Sequence, residues 1–130
     1  MYILNISTNS RTELIDITSS VESYVKSNEI QNGILYIYTP HTTAAITINE
    51  NADRTVKNDI NNFLNKLIPF KNNYTHLEGN SDAHIKSSII GCSETVFIEN
   101  RSLILGTWQG IFFCEFDGPR NRKVYLKILK

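Results

Sequence analysis

The chain has 130 residues, of which 41% are hydrophobic and 20% charged, and its 13 basic and 13 acidic side chains cancel to a formal net charge of zero. That length holds one domain with one core and needs no staple to fold. A zero net charge removes the summed-field attraction that would draw nucleic acid or an anionic membrane, and it does little to keep copies of the chain apart.

The segment Tyr2–Thr8 is rich in β-branched residues and reads as a strand. After the polar turn TNSR, residues Thr12–Ile17 read as its hairpin partner. Ser19 followed by Glu22 has the spacing of a capping box, and Val21 and Val25 lie one turn apart, so a short helix is expected to end near Asn32-Gly33. Gly33–Tyr38 is a continuous apolar run and reads as a buried strand, interrupted by Pro40. Another strand follows over 42–49. Asp53 is placed to cap a second helix, whose apolar residues Val56, Ile60, Phe63, Leu64 and Leu67 recur at helical spacing up to Pro69. Residues 71–82 are turn-rich and read as a loop. A short third helix, capped by Ser81 or Asp82, would place Ile85 and Ile89 on one face and stop at Gly91. Four strands remain, over 95–100, 102–106, 108–116 and 122–129. This order favours a single α+β domain over residues 1–130, with a mixed or antiparallel, bent, sandwich-like sheet and two to three helices.

Cys92 and Cys114 form no CxxC pair and read as small buried apolar residues of a reducing compartment. No signal-peptide pattern opens the chain and no stretch is long enough to span a bilayer, so a cytoplasmic protein is expected.

Chemistry rests first on three histidines. His41, His76 and His84 each sit in a polar, turn-rich context at the end of an element, where imidazoles serve as metal ligands or acid–base groups. Their spacing matches no metal motif, and hydrogen-bonded or surface histidines remain the alternative. Glu50 and Asp53 close a strand and could serve acid–base chemistry, or be a solvated side chain and a helix cap. EGNSDAH could offer backbone amides to an anion at a helix start, though Asp82 opposes this. In GTWQG the glycines suggest close backbone approach; Trp108 is expected in the core and Gln109 on the opposite face, toward the histidines. Glu115, Asp117, Arg120 and Arg122 gather around a Gly-Pro turn, either as a salt-bridged hairpin tip or as an arginine clamp for an anion.

Taken in order, HTTAAITINENAD, HLEGNSDAHIKSSIIG and LILGTWQGIFFCEFDGPRNRKV resemble the successive signature blocks of the YjbQ-like family, over about Gly33 to Val124. The resemblance implies a compact α+β domain with a strongly bent antiparallel sheet, assembled as a homotrimer, with a histidine-lined polar pocket. It carries family positions onto His41, His76, His84, Glu50, Asn51, Trp108, Gln109, Gly110 and Glu115. It also implies a weak, secondary thiamine-phosphate synthase activity, joining a pyrimidine diphosphate to a thiazole phosphate.

On that basis His41, His84 and Glu50 are expected to be catalytic. Asn51, Gln109, Arg120 and Glu115 are expected to bind substrate. His41, His76 and His84 would hold a divalent metal, zinc before others, leaving one tetrahedral position open. No organic cofactor is implied. The expected ligand is a phosphorylated small molecule, with no nucleic acid and no membrane. A non-catalytic trimer binding a phosphometabolite or a metal satisfies the same residues, as does a structural oligomer with buried polar networks.

Overall fold

A computed structural model describes all residues, 1–130. Its elements are β1 (Tyr2–Ser7), β2 (Glu13–Asp16), α1 (Thr18–Ser27), β3 (Gly33–Tyr38), β4 (Ala44–Glu50), α2 (Arg54–Leu67), α3 (Ser81–Ile90), β5 (Ser93–Glu99), β6 (Ser102–Leu103), β7 (Gln109–Glu115) and β8 (Asn121–Leu129). The class is α+β, and every strand pairing is antiparallel. Five strands form a large sheet in the order β1-β8-β3-β5-β6, and three form a small one in the order β2-β7-β4. No helix is long and apolar enough to cross a membrane.

The alternation of side chains explains how these parts stack. One apolar cluster joins the facing sides of the two sheets: Leu35, Ile37, Val96, Ile98, Val124 and Leu126 from the large sheet meet Ala44, Ile46, Ile111 and Phe113 from the small one. Helix α1 adds Val21 and Val25 to it. On the far side of the small sheet, Ala45, Phe112 and Cys114 meet Leu64 of α2 and Ala83 of α3. The small sheet is therefore the middle of three layers, and β7 is buried from Gly110 to Glu115 without alternation. The outer face of the large sheet is left uncovered at β3, so β3 alternates: Leu35 and Ile37 are buried while Tyr36 and Tyr38 are exposed, not buried on both faces as its apolar run suggests.

Several local expectations are corrected. The capping box of Ser19 and Glu22 does not form. Helix α1 starts earlier, at Thr18, because Asp16 Oδ1 accepts from the Thr18 amide (2.9 Å) and hydroxyl (2.5 Å). It ends at Ser27, and Gly33 opens β3. Asp53 does cap α2, accepting from the Thr55 amide at 2.9 Å, but Phe63 and Leu67 on that helix stay exposed. In α3 neither Ser81 nor Asp82 is the cap; Asn80 holds that position. Its inward face mixes Ala83 with polar side chains: Asp82, Lys86 and Ser87 are buried, while Ile85 and Ile89 are exposed. A charge network fixes this choice. Arg11 donates to both Asp82 oxygens (3.0 and 2.9 Å), and Lys86 Nζ donates to Asp82 (3.1 Å) and to Asn65 Oδ1 (2.7 Å). Buried charges without these partners would cost far more than two exposed isoleucines.

The Trp-Gln-Gly segment also departs from expectation. Trp108 precedes the strand and is 62% exposed. Gln109 turns back on its own chain, its Oε1 accepting from the Gly106 amide at 2.8 Å. Gly110 is the structural residue of the three. A Cβ there would overlap the side chain of Asn51, whose Nδ2 donates to Asp16 at 3.1 Å. Gly110→Ala should therefore cost about 1–3 kcal/mol through overpacking, whereas Trp108→Ala should shift the folding free energy of the single chain by less than about 1 kcal/mol. Urea denaturation of the two variants checks the order, and the reverse order would contradict this placement.

Candidate functional site

One cleft of 660 Å³ collects the three histidines. Of its 14 lining residues only Phe70 is hydrophobic. His41 reaches it from the loop between β3 and β4, His76 from the loop before α3, and His84 from the first turn of α3. Arg11, Arg120 and Arg122 line it as well.

The loop that carries His41 is held by strand ends. The β3–β8 ladder stops at the Tyr38–Tyr125 pair, just before Pro40. The Lys123 amide then donates to His41 Nε2 at 2.9 Å. An imidazole that accepts at Nε2 carries its proton on Nδ1 and is neutral. Burial, and then the charge of Arg122, lower the His41 pKa below the usual histidine value, with Arg120 and Lys123 acting the same way against Glu115. His41 is thus a neutral hydrogen-bond donor in this cleft.

His76 and His84 meet edge to face, with ring centroids 5.5 Å apart, and His76 lies 3.8 Å from Glu78. The three imidazoles share a cleft without forming one ligand set: no group of three or more His, Cys, Asp or Glu side chains is arranged to hold an ion. The acceptor nitrogen of His41 is already occupied by Lys123. A three-histidine zinc site therefore does not fit this arrangement, and no chemistry below is routed through a metal.

Behind the histidines, Arg122 and Glu115 form an ion pair that is 2% and 0% exposed. Arg122 Nε donates to Glu115 Oε1 at 2.9 Å and Nη2 donates to Oε2; Nη2 also donates to Thr43 Oγ1 at 2.9 Å. The Thr8 hydroxyl and the Asp117 amide donate to the same carboxylate (2.8 and 3.0 Å). Burial pushes the Glu115 carboxyl upward, but the hydrogen bonds from Arg122, Asp117 and Thr8 outweigh it and hold the pKa below the ordinary glutamate value. Gly118 makes room for this knot, since a Cβ there would press on Glu115 and on the Thr8 hydroxyl.

Arg120 stands at the mouth, half exposed, its Nε donating to the Asp117 carbonyl and its Nη2 to the Asp117 carboxylate (2.9 and 3.0 Å). Arg11 lies over the Phe70 ring at 3.6 Å while held bidentate by Asp82. Helix α3 begins beside them, with Gly79 and Asn80 in the wall, so its positive end faces the cleft. Asp82 does not oppose an anion there, because its carboxylate is turned inward onto Arg11 and Lys86.

His41, His76, His84 and Arg120 therefore come together in the cleft, with Glu115 in the support behind it. Glu50, Asn51 and Gln109 do not. They cluster at the opposite end of the small sheet, where Glu50 pairs with Gln109 across β4 and β7. Six strand steps separate Glu50 from Ala44 at the cleft end, about 20 Å. Within one subunit Glu50 cannot act on His41 or His84, and Asn51 and Gln109 lock the 106–110 turn instead. Arg11 and Phe70 were not singled out by the sequence. Arg11 sits in the segment between β1 and β2, which are not the expected hairpin but lie in different sheets; it is 71 residues from its partner Asp82, and nothing local marks it.

The buried pair yields a direct test. Arg122→Leu leaves Glu115 unpaired and should cost about 3–5 kcal/mol, while adding Glu115→Leu should restore most of that loss. Denaturant titration of both variants measures it. A double variant no more stable than the single one would contradict this account of the pair.

Comparison with known proteins matches the family described as "UPF0047 protein YjbQ-like" to residues 2–130. The chain is 59% identical to UPF0047 protein MJ1081 of Methanocaldococcus jannaschii over 99% of its own length and 94% of that protein's. It is 52% identical to UPF0047 protein YugU of Bacillus subtilis, over 97% and 96% of the two chains. The crystal structure of a yjbq/upf0047-family protein from Clostridium acetobutylicum superposes with a TM-score of 0.97 at 49% identity, covering 99% of this chain and all of that one.

Proposed function

We propose that this chain, which belongs to the UPF0047 protein YjbQ-like family, binds a small phosphorylated molecule in the histidine-lined cleft. The observation that carries the reading is a 660 Å³ space whose wall holds three arginines and three histidines with a single hydrophobic residue. Such a lining offers little to an apolar ligand and many donors to a phosphate. Each arginine already has a carboxylate partner, Asp82, Asp117 or Glu115, so the donors are fixed in place before a ligand arrives. Preorganised donors lose less freedom on binding.

The finer reading is a weak transferase activity that joins a pyrimidine diphosphate to a thiazole phosphate. The thiazole nitrogen would give its lone pair to the pyrimidine methylene carbon as the carbon–oxygen bond to pyrophosphate breaks; pyrophosphate would leave with that bonding pair, and cationic donors would take up the charge that develops. Arg120 is the half-exposed arginine suited to that role. His84 would give a proton to the departing pyrophosphate, and His41, held neutral, would donate a hydrogen bond from Nδ1. A cytoplasmic setting suits the two unpaired cysteines, Cys92 and Cys114. Calorimetry with inorganic pyrophosphate should show binding that weakens about tenfold or more in Arg120→Ala, a variant that stays folded because the side chain is half exposed. Incubation with both thiamine precursors should give slow thiamine phosphate formation, lost in His84→Ala. Binding without turnover would reduce the reading to a binding protein; no binding of pyrophosphate would overturn it.

We also infer that the chain assembles as a homotrimer. Support comes from apolar side chains left uncovered on several surfaces: Phe63 and Leu67 of α2, Ile85 and Ile89 of α3, and Phe97 of β5. Light scattering at micromolar concentration should return three times the 14.8 kDa chain mass. A monomer mass would refute the assembly.

A further inference from the structure

A second cleft, of 460 Å³, opens on the other side of the His41–His84 wall. It shares Pro40, His41, Thr42 and His84 with the first cleft, but its own lining contains no arginine, lysine or carboxylate. The two spaces therefore divide by charge along a line of two imidazoles.

The second cleft is uncharged and rich in hydroxyl oxygens. Three of its hydroxyl protons are already committed to backbone carbonyls, while those of Tyr38 and Thr42 are not: Thr39 Oγ1 donates to Lys123 O at 3.1 Å, Ser87 Oγ to Thr42 O at 2.6 Å, and Ser88 Oγ to His84 O at 2.8 Å. What remains on each oxygen is lone-pair capacity. Helical spacing sets His84, Ser87, Ser88 and Gly91 along one side of α3, so the serines continue the wall that the histidine begins. Tyr38 adds an aromatic flank. Uncharged acceptors beside an aromatic ring complement a neutral group that carries O–H or N–H donors.

We propose that the two clefts form one bipartite site for a phosphomonoester whose organic part is neutral and rich in hydroxyl or amino groups. Its phosphate lies among the arginines of the first cleft. Its organic part crosses between His41 and His84 and rests against Ser87 and Ser88. This rests on the anion-binding reading of the first cleft.

The chain carries its own reporter for the test. Cys92 is exposed and lines the second cleft, whereas Cys114 is 1% exposed and burial pushes its thiol up to about 12. N-ethylmaleimide at neutral pH therefore labels Cys92 selectively. The labelling rate is measured with saturating inorganic phosphate, ribose 5-phosphate, or tetrahydrofurfuryl phosphate, which keeps the ring and lacks the hydroxyls. Phosphate alone should leave the rate unchanged. Ribose 5-phosphate should slow it at least tenfold and bind at least tenfold more tightly than the hydroxyl-free analogue. Ser88→Val should remove that preference while leaving inorganic phosphate affinity unchanged. If phosphate binds but ribose 5-phosphate neither protects Cys92 nor outcompetes its analogue, the bipartite site is wrong and the anion cleft stands. If inorganic phosphate fails to bind as well, both are overturned.

Discussion

The candidate site depends on one buried ion pair that ties the two sheets together. Glu115 closes β7 in the small sheet and Arg122 lies near the start of β8 in the large one, and neither is accessible to water. Thr8 beyond β1 and Thr43 ahead of β4 complete the hydrogen bonding, so four separate chain segments meet at this knot. Such a pair gains little net stability over well-packed apolar residues, because desolvation offsets most of the Coulomb attraction. Its effect is positional. It fixes the end of the sandwich at which the loop carrying His41 and the turn carrying Arg120 emerge, and the cleft opens there.

The same principle governs the rest of the wall. Each of these cations is matched by a carboxylate: Arg11 by Asp82 of a distant segment, Lys86 by Asp82 one turn away on α3, Arg120 by Asp117 in the same turn, and Arg122 by Glu115 across the two sheets. The zero net charge of the sequence is thus built from local pairs as well as from a global balance. Pairing holds the arginines still. His41 follows from this arrangement too. Burial and the nearby arginine and lysine charges keep it neutral, while the Lys123 amide fixes its tautomer.

Much of the fold was legible because alternation and helical spacing are local signals. Asp53 as a cap and the run of strands after α3 could be read directly. The errors arose where a distant partner, or a competing cap just ahead of a helix, decided the outcome. Nothing near α3 indicates that Asp82 and Lys86 are buried in place of Ile85 and Ile89, because Arg11 and Asn65 supply the reason. Asp16, from the preceding strand, displaced the capping box of α1. For the site, the three histidines and Arg120 were legible as polar residues at element ends. Glu50, Asn51 and Gln109 were grouped with them by strand-end position, side-chain alternation and family resemblance, none of which tells one end of the sheet from the other. Gly110 beside Asn51 shows that this second group forms a packing motif within the subunit.

The central claim is that His41, His76 and His84 border one anion-binding space and that His41 is neutral with its proton on Nδ1. Proton–nitrogen correlation NMR of the three imidazoles, recorded while inorganic phosphate is titrated at pH 7, tests both parts at once. The account predicts an Nδ1–H tautomer for His41 before any phosphate is added, and shifts at all three rings that fit one dissociation constant. Three rings that do not respond, or that respond with unrelated constants, would contradict it.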